Sequence, residues 1–321
     1  MAINSKYARW FGAAAIAAAA FSASNVAAED LTLWTLNFDN GAANGALKKV
    51  AKDFEAANPG THVEIVQRGV DEHKTALRVA AGSSKGPDIY FSWAGLGLGG
   101  EYVKAGLSLP LDKYYTEYKW NDELLPSAAA FADLYPGGKH GVPFTFKGEA
   151  IYYNKKLFQK AGITQEPKTY EELLAAADKL KAAGIPAFTF GGSVNWHVMR
   201  LMDVLLETKC GADKHDALMA MKTDWTKEPC ATDAFAEFAK WTKDYTLKPF
   251  MGISNQQSYT LFVAGRAAMM LEGDWLVSQL SGSKVNLDDY GVIPFPTNTN
   301  RLYGFAEYNY VSTKSKNPDL A

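Results

Sequence analysis

The 321-residue chain is 47% apolar, 21% charged and 13% aromatic, and its 33 Lys and Arg face 35 Asp and Glu for a formal charge of −2. These proportions exclude a disordered or collagenous chain, and the absence of a basic excess argues against a nucleic-acid binder. Two cysteines rule out a disulfide scaffold and a four-cysteine zinc site, while the length suits about two domains.

In chain order, residues 1–28 read first as an export signal. Lys6 and Arg9 form a positive segment, and Trp10 to Phe21 is an unbroken run of apolar and small residues. Ser22 to Ala28 then places Val26 and Ala28 for cleavage before Glu29. The run is shorter than the roughly 20 residues that span a bilayer. No cysteine near the cleavage point offers a lipid anchor, and no later segment is apolar enough to cross a membrane. The expectation is therefore cleavage after Ala28 and release of the chain into the periplasm. Cleavage leaves 293 residues and, with Lys6 and Arg9 gone, a formal charge of −4.

Leu31 to Leu36 is apolar and β-branched, which predicts a buried strand. Leu47, Val50, Ala51 and Phe54 fall at i, i+3, i+4 and i+7, predicting an amphipathic helix over 45–57 that stops at Asn58-Pro59-Gly60. A strand around Val63 and Ile65, a helix over 72–81 and a strand over 88–93 follow. This β-α-β-α-β order implies a parallel sheet with right-handed crossovers. Ile151 to Asn154 ends an extended stretch, and 155–161 is a short helix stopped by Gly162. Thr169 with Glu172 predicts a capping box for a helix running to about Ala183. A strand over 186–190, a helix over 195–208 and a helix over 232–245 come next, the last with Phe235, Phe238, Ala239 and Thr242 on one face. A strand over 267–271, a helix from about Asp274 and a strand over 290–293 complete a second α/β group. The two groups meet near 141–148 and 294–304, both rich in Gly, Pro and aromatic residues.

Ligands of open α/β sheets bind beyond the carboxyl ends of the strands. Those ends carry Trp34 with Asn37, Phe38, Asp39 and Asn40; Trp93; Phe144 and Phe146 around Lys147; Trp196 and His197; Glu272, Asp274 and Trp275; and Glu307, Tyr308 and Asn309. Aromatic rings interleaved with carboxylates and amides suit a sugar, whose C–H face packs on a ring and whose hydroxyl rim needs paired donors and acceptors. A single Trp near a strand end is as readily a core residue, so the signal lies in the recurrence. Trp120, Trp225 and Trp241 are assigned to packing, and His197 either lines a pocket or is a satisfied surface histidine.

Cys210 and Cys230 stand about 20 residues apart in a chain expected to be exported. They are a disulfide candidate, with two free thiols as the alternative. Gly95 to Gly100 matches G-x-G-x-x-G after a strand but lacks the following strand ending in an acid, so its glycines read as a tight turn with close helix packing. Gly191-Gly192-Ser193-Val194-Asn195 lacks the last glycine of a nucleophile elbow. His62, His73, His140, His197 and His215 show no metal-ligand spacing, so no metal and no cofactor is expected.

Four stretches together resemble one family. They are Gly86-Pro87-Asp88-Ile89 leading to Trp93; Gly141-Val142-Pro143 through Tyr152 to Phe158 and Ala161-Gly162-Ile163; Phe262 to Met269 through Gly273-Asp274-Trp275; and Ser315-Lys316-Asn317-Pro318. The chain is similar over 30–321 to bacterial ABC-transporter extracellular solute-binding proteins, in the sugar-binding group. The resemblance implies an α/β, two-lobed periplasmic-binding-protein fold, each lobe a mainly parallel sheet flanked by helices. It places lobe I at 29–142 and 301–321, incomplete at the C-terminus, lobe II at 143–300, and the hinge near 141–148 and 294–304. It implies a monomeric receptor that is not an enzyme, handing a mono- or oligosaccharide to permease subunits in the inner membrane. It also implies ligand contacts at Asp39 and Asn40, stacking on Trp93 and Trp275, and a polar contact from Lys147. With the strand-end reading, the ligand set is Asp39, Asn40, Trp93, Lys147, Trp196, Glu272, Asp274, Trp275, Glu307 and Tyr308. The alternatives are a secreted glycosidase using a pair from Asp39, Glu272, Asp274 and Glu307, and a receptor for a non-sugar solute such as a polyamine.

Overall fold

A computed structural model describes residues 29–38 and 41–321, so the export signal and its cleavage point lie outside the described residues. Seven strands follow in chain order: β1 (Glu29–Leu36), β2 (Thr61–Arg68), β3 (Ile89–Trp93), β4 (Val142–Asn154), β5 (Met269–Gly273), β6 (Tyr290–Ile293) and β7 (Gly304–Val311). β1 runs parallel between β2 and β3, and helices Gly41–Ala57 and Val70–Ala81 make the crossovers. The first of these helices is only half covered. Leu47, Ala51 and Phe54 are half-buried, while Val50 is 64% exposed.

β4 is the strand that organises the molecule. Its first half pairs antiparallel with β7, and β7 pairs antiparallel with β3. Its second half pairs antiparallel with β5 and β6. β4 and β7 thus form a two-stranded ribbon between two sheets, with the changeover at Gly148 and Gly304, which are register partners. The expected parallel order therefore holds for β2, β1 and β3. Around β4 the pairing is antiparallel, because one strand of the ribbon enters the second half of the chain and the other returns from it. The strand expected over 186–190 is an extended segment. It lies parallel to the start of β5, where Ala268 and Met269 donate to the carbonyls of Pro186 and Ala187 and Thr189 donates back to Met269.

Two apolar cores flank the ribbon, and these two cores make the protein a two-lobed α/β fold. One is built from Leu77, Tyr90, Leu107, Tyr115, Tyr135, Tyr308 and Tyr310. The other gathers Ile151, Phe158, Leu173, Phe188, Leu201, Leu205, Trp241 and Met269. Trp241 is fully buried and donates from Nε1 to the Tyr170 hydroxyl at 2.7 Å. Trp120 packs edge-on against Tyr115, and Trp225 donates to the Leu218 carbonyl, so all three packing assignments stand.

Local details depart from expectation where two solutions compete. Thr169 caps helix Tyr170–Ala182 through the Glu172 N–H, but the Glu172 carboxylate accepts from Lys168 N–H rather than from the cap residue. Helix Pro229–Lys240 buries Ala231 and Ala234, whereas Phe235 is 54% exposed. Both faces satisfy a 3.6-residue period; close packing on helix Asn195–Cys210 selects the small residues. Cys210 and Cys230 are bonded to each other and tie those two helices together beside Leu206 and Leu218. Gly95 has φ +119°, and a Cβ on Gly99 would meet the Tyr310 hydroxyl at 2.2 Å, so this glycine run serves a turn and close packing.

Candidate ligand-binding site

Pairing register decides which strand-end residues share a face. Side chains alternate along a strand, and directly opposed residues in an antiparallel pair point the same way. Glu307 on β7 lies opposite Trp93 on one side and Thr145 on the other, and Phe305 lies opposite Lys147. Trp93, Thr145, Lys147, Phe305 and Glu307 therefore line one face of the ribbon. The intervening Ala306, Tyr308 and Tyr310 fill the core on the other face.

Polar contacts tie this face together. The Thr145 hydroxyl donates to Glu307 Oε2. Lys147 Nζ stands 3.5 Å from Asp274 Oδ1, linking the ribbon to the turn after β5. Burial raises the Glu307 carboxyl above its ordinary pKa, against the opposing pull of Thr145 and Lys147. Trp93 is packed edge-on by Phe91 and covered by Lys74 Nζ at 5.0 Å from the ring centroid.

The second lobe contributes two more indoles. Trp275 opens helix Trp275–Gly282, with its ring over the Gly273 backbone; a Cβ there would lie 2.0 Å from the ring. Its other neighbour is Phe305, at 6.1 Å between centroids. Trp196 sits in the first turn of helix Asn195–Cys210. Arg200 lies between the two, its guanidinium carbon 5.0 Å from the Trp196 centroid and 5.5 Å from that of Trp275. Arg200 is 4% exposed, with Nε 2.6 Å from Glu149 Oε2 and Nη1 3.0 Å from Glu272 Oε2. His197 accepts from Gly191 N–H through Nδ1, which leaves the proton on Nε2, 3.1 Å from Glu272. Burial holds His197 below its usual pKa, so the ring is neutral. Desolvation lifts Glu149 to about 7, whereas at Glu272 the same burial penalty is outweighed by Arg200, His197 and the Gly273 N–H together, which keep it below the usual range.

At the carboxyl end of β2, Arg68 lies 4.2 Å above the Trp34 ring. Its Nη1 is buried and makes no hydrogen bond among the described residues. A cavity of about 550 Å³ opens there, lined by Arg68, Asp71, Glu72, Thr75 and Ala76. The same helix, Val70–Ala81, carries Lys74 onto Trp93.

The model for bacterial extracellular solute-binding proteins matches residues 39–321. The chain belongs to this family. It is 28% identical over 265 residues to an uncharacterised ABC transporter extracellular-binding protein of Pyrococcus horikoshii, covering 80% of this chain and 58% of that one. It is 27% identical over 284 residues to a maltotriose-binding protein of Pyrococcus abyssi, covering 85% and 57%. Among solved structures, a chitin oligosaccharide binding protein superposes with a TM-score of 0.75 at 28% identity, covering 90% of this chain and 74% of the other. The solute-binding protein thus spans a little under three-fifths of the length of those two curated relatives.

Of the ten residues expected to bind ligand in this solute-binding protein, Asp39 and Asn40 lie outside the described residues. Trp93, Lys147 and Glu307 come together on the ribbon, with Asp274 and Trp275 beside Lys147 and Trp196 next to Arg200. Two expectations are corrected. Tyr308 is fully buried, and its hydroxyl donates to the Ala128 carbonyl, because its register position faces the core. Glu272 is 2% exposed and committed to Arg200 and His197. His197 is likewise buried, neither pocket wall nor surface residue. Sequence reasoning missed Arg200, Arg68 and Thr145. Arg200 had one usable signal, its i+4 spacing from Trp196.

Proposed function

We propose that this chain is a sugar-capturing receptor of an ABC importer, exported by removal of residues 1–28 and working in the periplasm with inner-membrane permease subunits. The observation that carries the proposal is the ribbon face, where Trp93 and Trp275 flank Glu307, Lys147 and Asp274 at the junction of two cores. Rings bracketing mixed hydrogen-bonding groups suit a pyranose, which stacks on its apolar face and pairs its hydroxyls around the rim. The likeness to a maltotriose-binding protein and a chitin oligosaccharide binding protein favours the same ligand class.

The lobes would divide at Gly148–Glu149 and Tyr303–Gly304, where β4 exchanges β7 for β5 and β6 as its partners. The lobe boundaries read from sequence, 142/143 and 300/301, lie a few residues before these points. Periplasmic binding proteins are themselves the type example of hinge closure on a ligand, and that mechanism is adopted for this chain. Ligand bridging the two lobes would bias an open-closed equilibrium toward the form recognised by the permease.

The glycosidase reading loses one of its four candidate carboxylates, because Glu272 is 2% exposed and paired with Arg200 and His197. A polyamine would meet the Lys147 ammonium on the ribbon face, where Asp274 is already paired with it. Calorimetry with mono- to trisaccharides is expected to show binding, with Trp93→Ala and Trp275→Ala each weakening it by about 1–3 kcal/mol. Silence across the panel for folded protein refutes the sugar assignment, and unchanged affinity in both variants refutes the site.

A further inference from the structure

We infer that Arg200 is a positioning residue that sets the spacing and tilt of two stacking indoles, Trp196 and Trp275, without itself touching ligand. The inference rests on the reading of those rings as a carbohydrate platform. The two rings come from different helices, and no strand register relates them. Arg200 is the group that meets both, at 5.0 and 5.5 Å from their centroids. It reaches Trp196 because the two are four residues apart on one helix, hence on the same face. It reaches Trp275 because the guanidinium is carried across to the end of β5.

The guanidinium plane cannot rotate. Nε is fixed by Glu149 on β4, while Nη1 is fixed by Glu272 and by the Leu271 carbonyl on β5, at 3.0 and 2.8 Å. Three groups on two strands therefore hold one planar cation, and an arginine fork is the side chain whose donors diverge in a plane while its faces remain free to stack. Trp275 packs on the Gly273 backbone and beside Phe305, and Arg200 meets its ring as a third neighbour. A lysine would keep the positive charge but could offer neither the planar face nor the divergent donors.

Arg200→Lys in the full chain tests this. With tryptophan ¹⁵N-labelled, the indole peaks of Trp196 and Trp275 are assigned by single Phe substitutions. In ligand-free Arg200→Lys both peaks are expected to shift or broaden, while those of Trp120, Trp225 and Trp241 stay in place. Two unmoved peaks in a cooperatively folded variant overturn the inference. Maltotriose, chitotriose and raffinose are the probes for affinity, and at least tenfold weaker binding of whichever binds the parent is expected; unchanged affinity also overturns it. If none of the three binds the parent protein, the wider mono- to trisaccharide panel decides the sugar reading, and the ligand-free spectrum alone decides the role of Arg200. If Arg200→Lys does not fold, Glu272→Gln, which keeps the shape and removes the charge opposite Nη1, takes the same spectral test with the same two outcomes.

Discussion

Breaking the Cys210–Cys230 bond should cost stability while leaving ligand affinity alone. The bridge closes a loop of 20 residues between helices Asn195–Cys210 and Pro229–Lys240. In the chain-entropy model a loop of that length removes about 11 cal/mol/K from the unfolded ensemble, or about 3 kcal/mol at 25 °C. Spread over a chain of this size, that corresponds to a fall of about 5 °C in melting temperature. Trp196 and Arg200 lie in the first turns of the same helix, and the bridge anchors its far end. The packing of Leu206, Leu218, Ala231 and Ala234 remains to hold the helix pair, so the indoles should keep their places. The assay is calorimetric unfolding of the Cys210→Ala/Cys230→Ala variant beside the parent with and without dithiothreitol, with sugar titrations of each. The reduced parent and the double variant are expected to melt together, below the oxidised parent, with sugar affinity unchanged. A double variant melting within about 1 °C of the oxidised parent would refute the loop-closure reasoning. Lost affinity in a folded double variant would refute the claim that the far end of the helix is uncoupled from the site.

Glu149 should make stability fall as pH rises. Its folded pKa is lifted by burial to about 7, above the unfolded value, so the folded state holds the extra proton between about pH 4.5 and 7 and stability is lost across that window. The contribution is about 3 kcal/mol at most, and Glu149→Gln should flatten the curve there by urea titration; parallel curves for parent and variant would refute it. Tyr308→Phe should cost about 1–2 kcal/mol, since it strands the Ala128 carbonyl in the core, and should leave sugar affinity untouched; weakened binding by the folded variant would return Tyr308 to the ligand set.

Much of the fold was legible where the signal is local. Asn58-Pro59-Gly60 ends a helix at Ala57, and the strand over 290–293 appears at those residues, because turn chemistry and side-chain periodicity act within a few positions. The buried Trp241 and the glycine run at 95–100 were also readable. The long β4 was seen only at its end, because its two halves answer to different partners and share no single pattern.

The site divided along the same line. The sequence by itself determined that aromatic and acidic residues gather after strands, and it brought Trp93, Lys147, Asp274, Trp275 and Glu307 to notice. Only tertiary structure decided which of them share a face. Glu307 and Tyr308 are adjacent in sequence, yet one lines the ribbon and the other fills a core, because strand side chains alternate and the phase is set by pairing with β3 and β4. Only tertiary structure, too, could bury Arg200. Taking a charge out of water is tolerable only where opposite charge and hydrogen bonds compensate; here the charge comes from Glu149 and Glu272 and the hydrogen bond from the Leu271 carbonyl, on two strands far apart in sequence that the fold pairs.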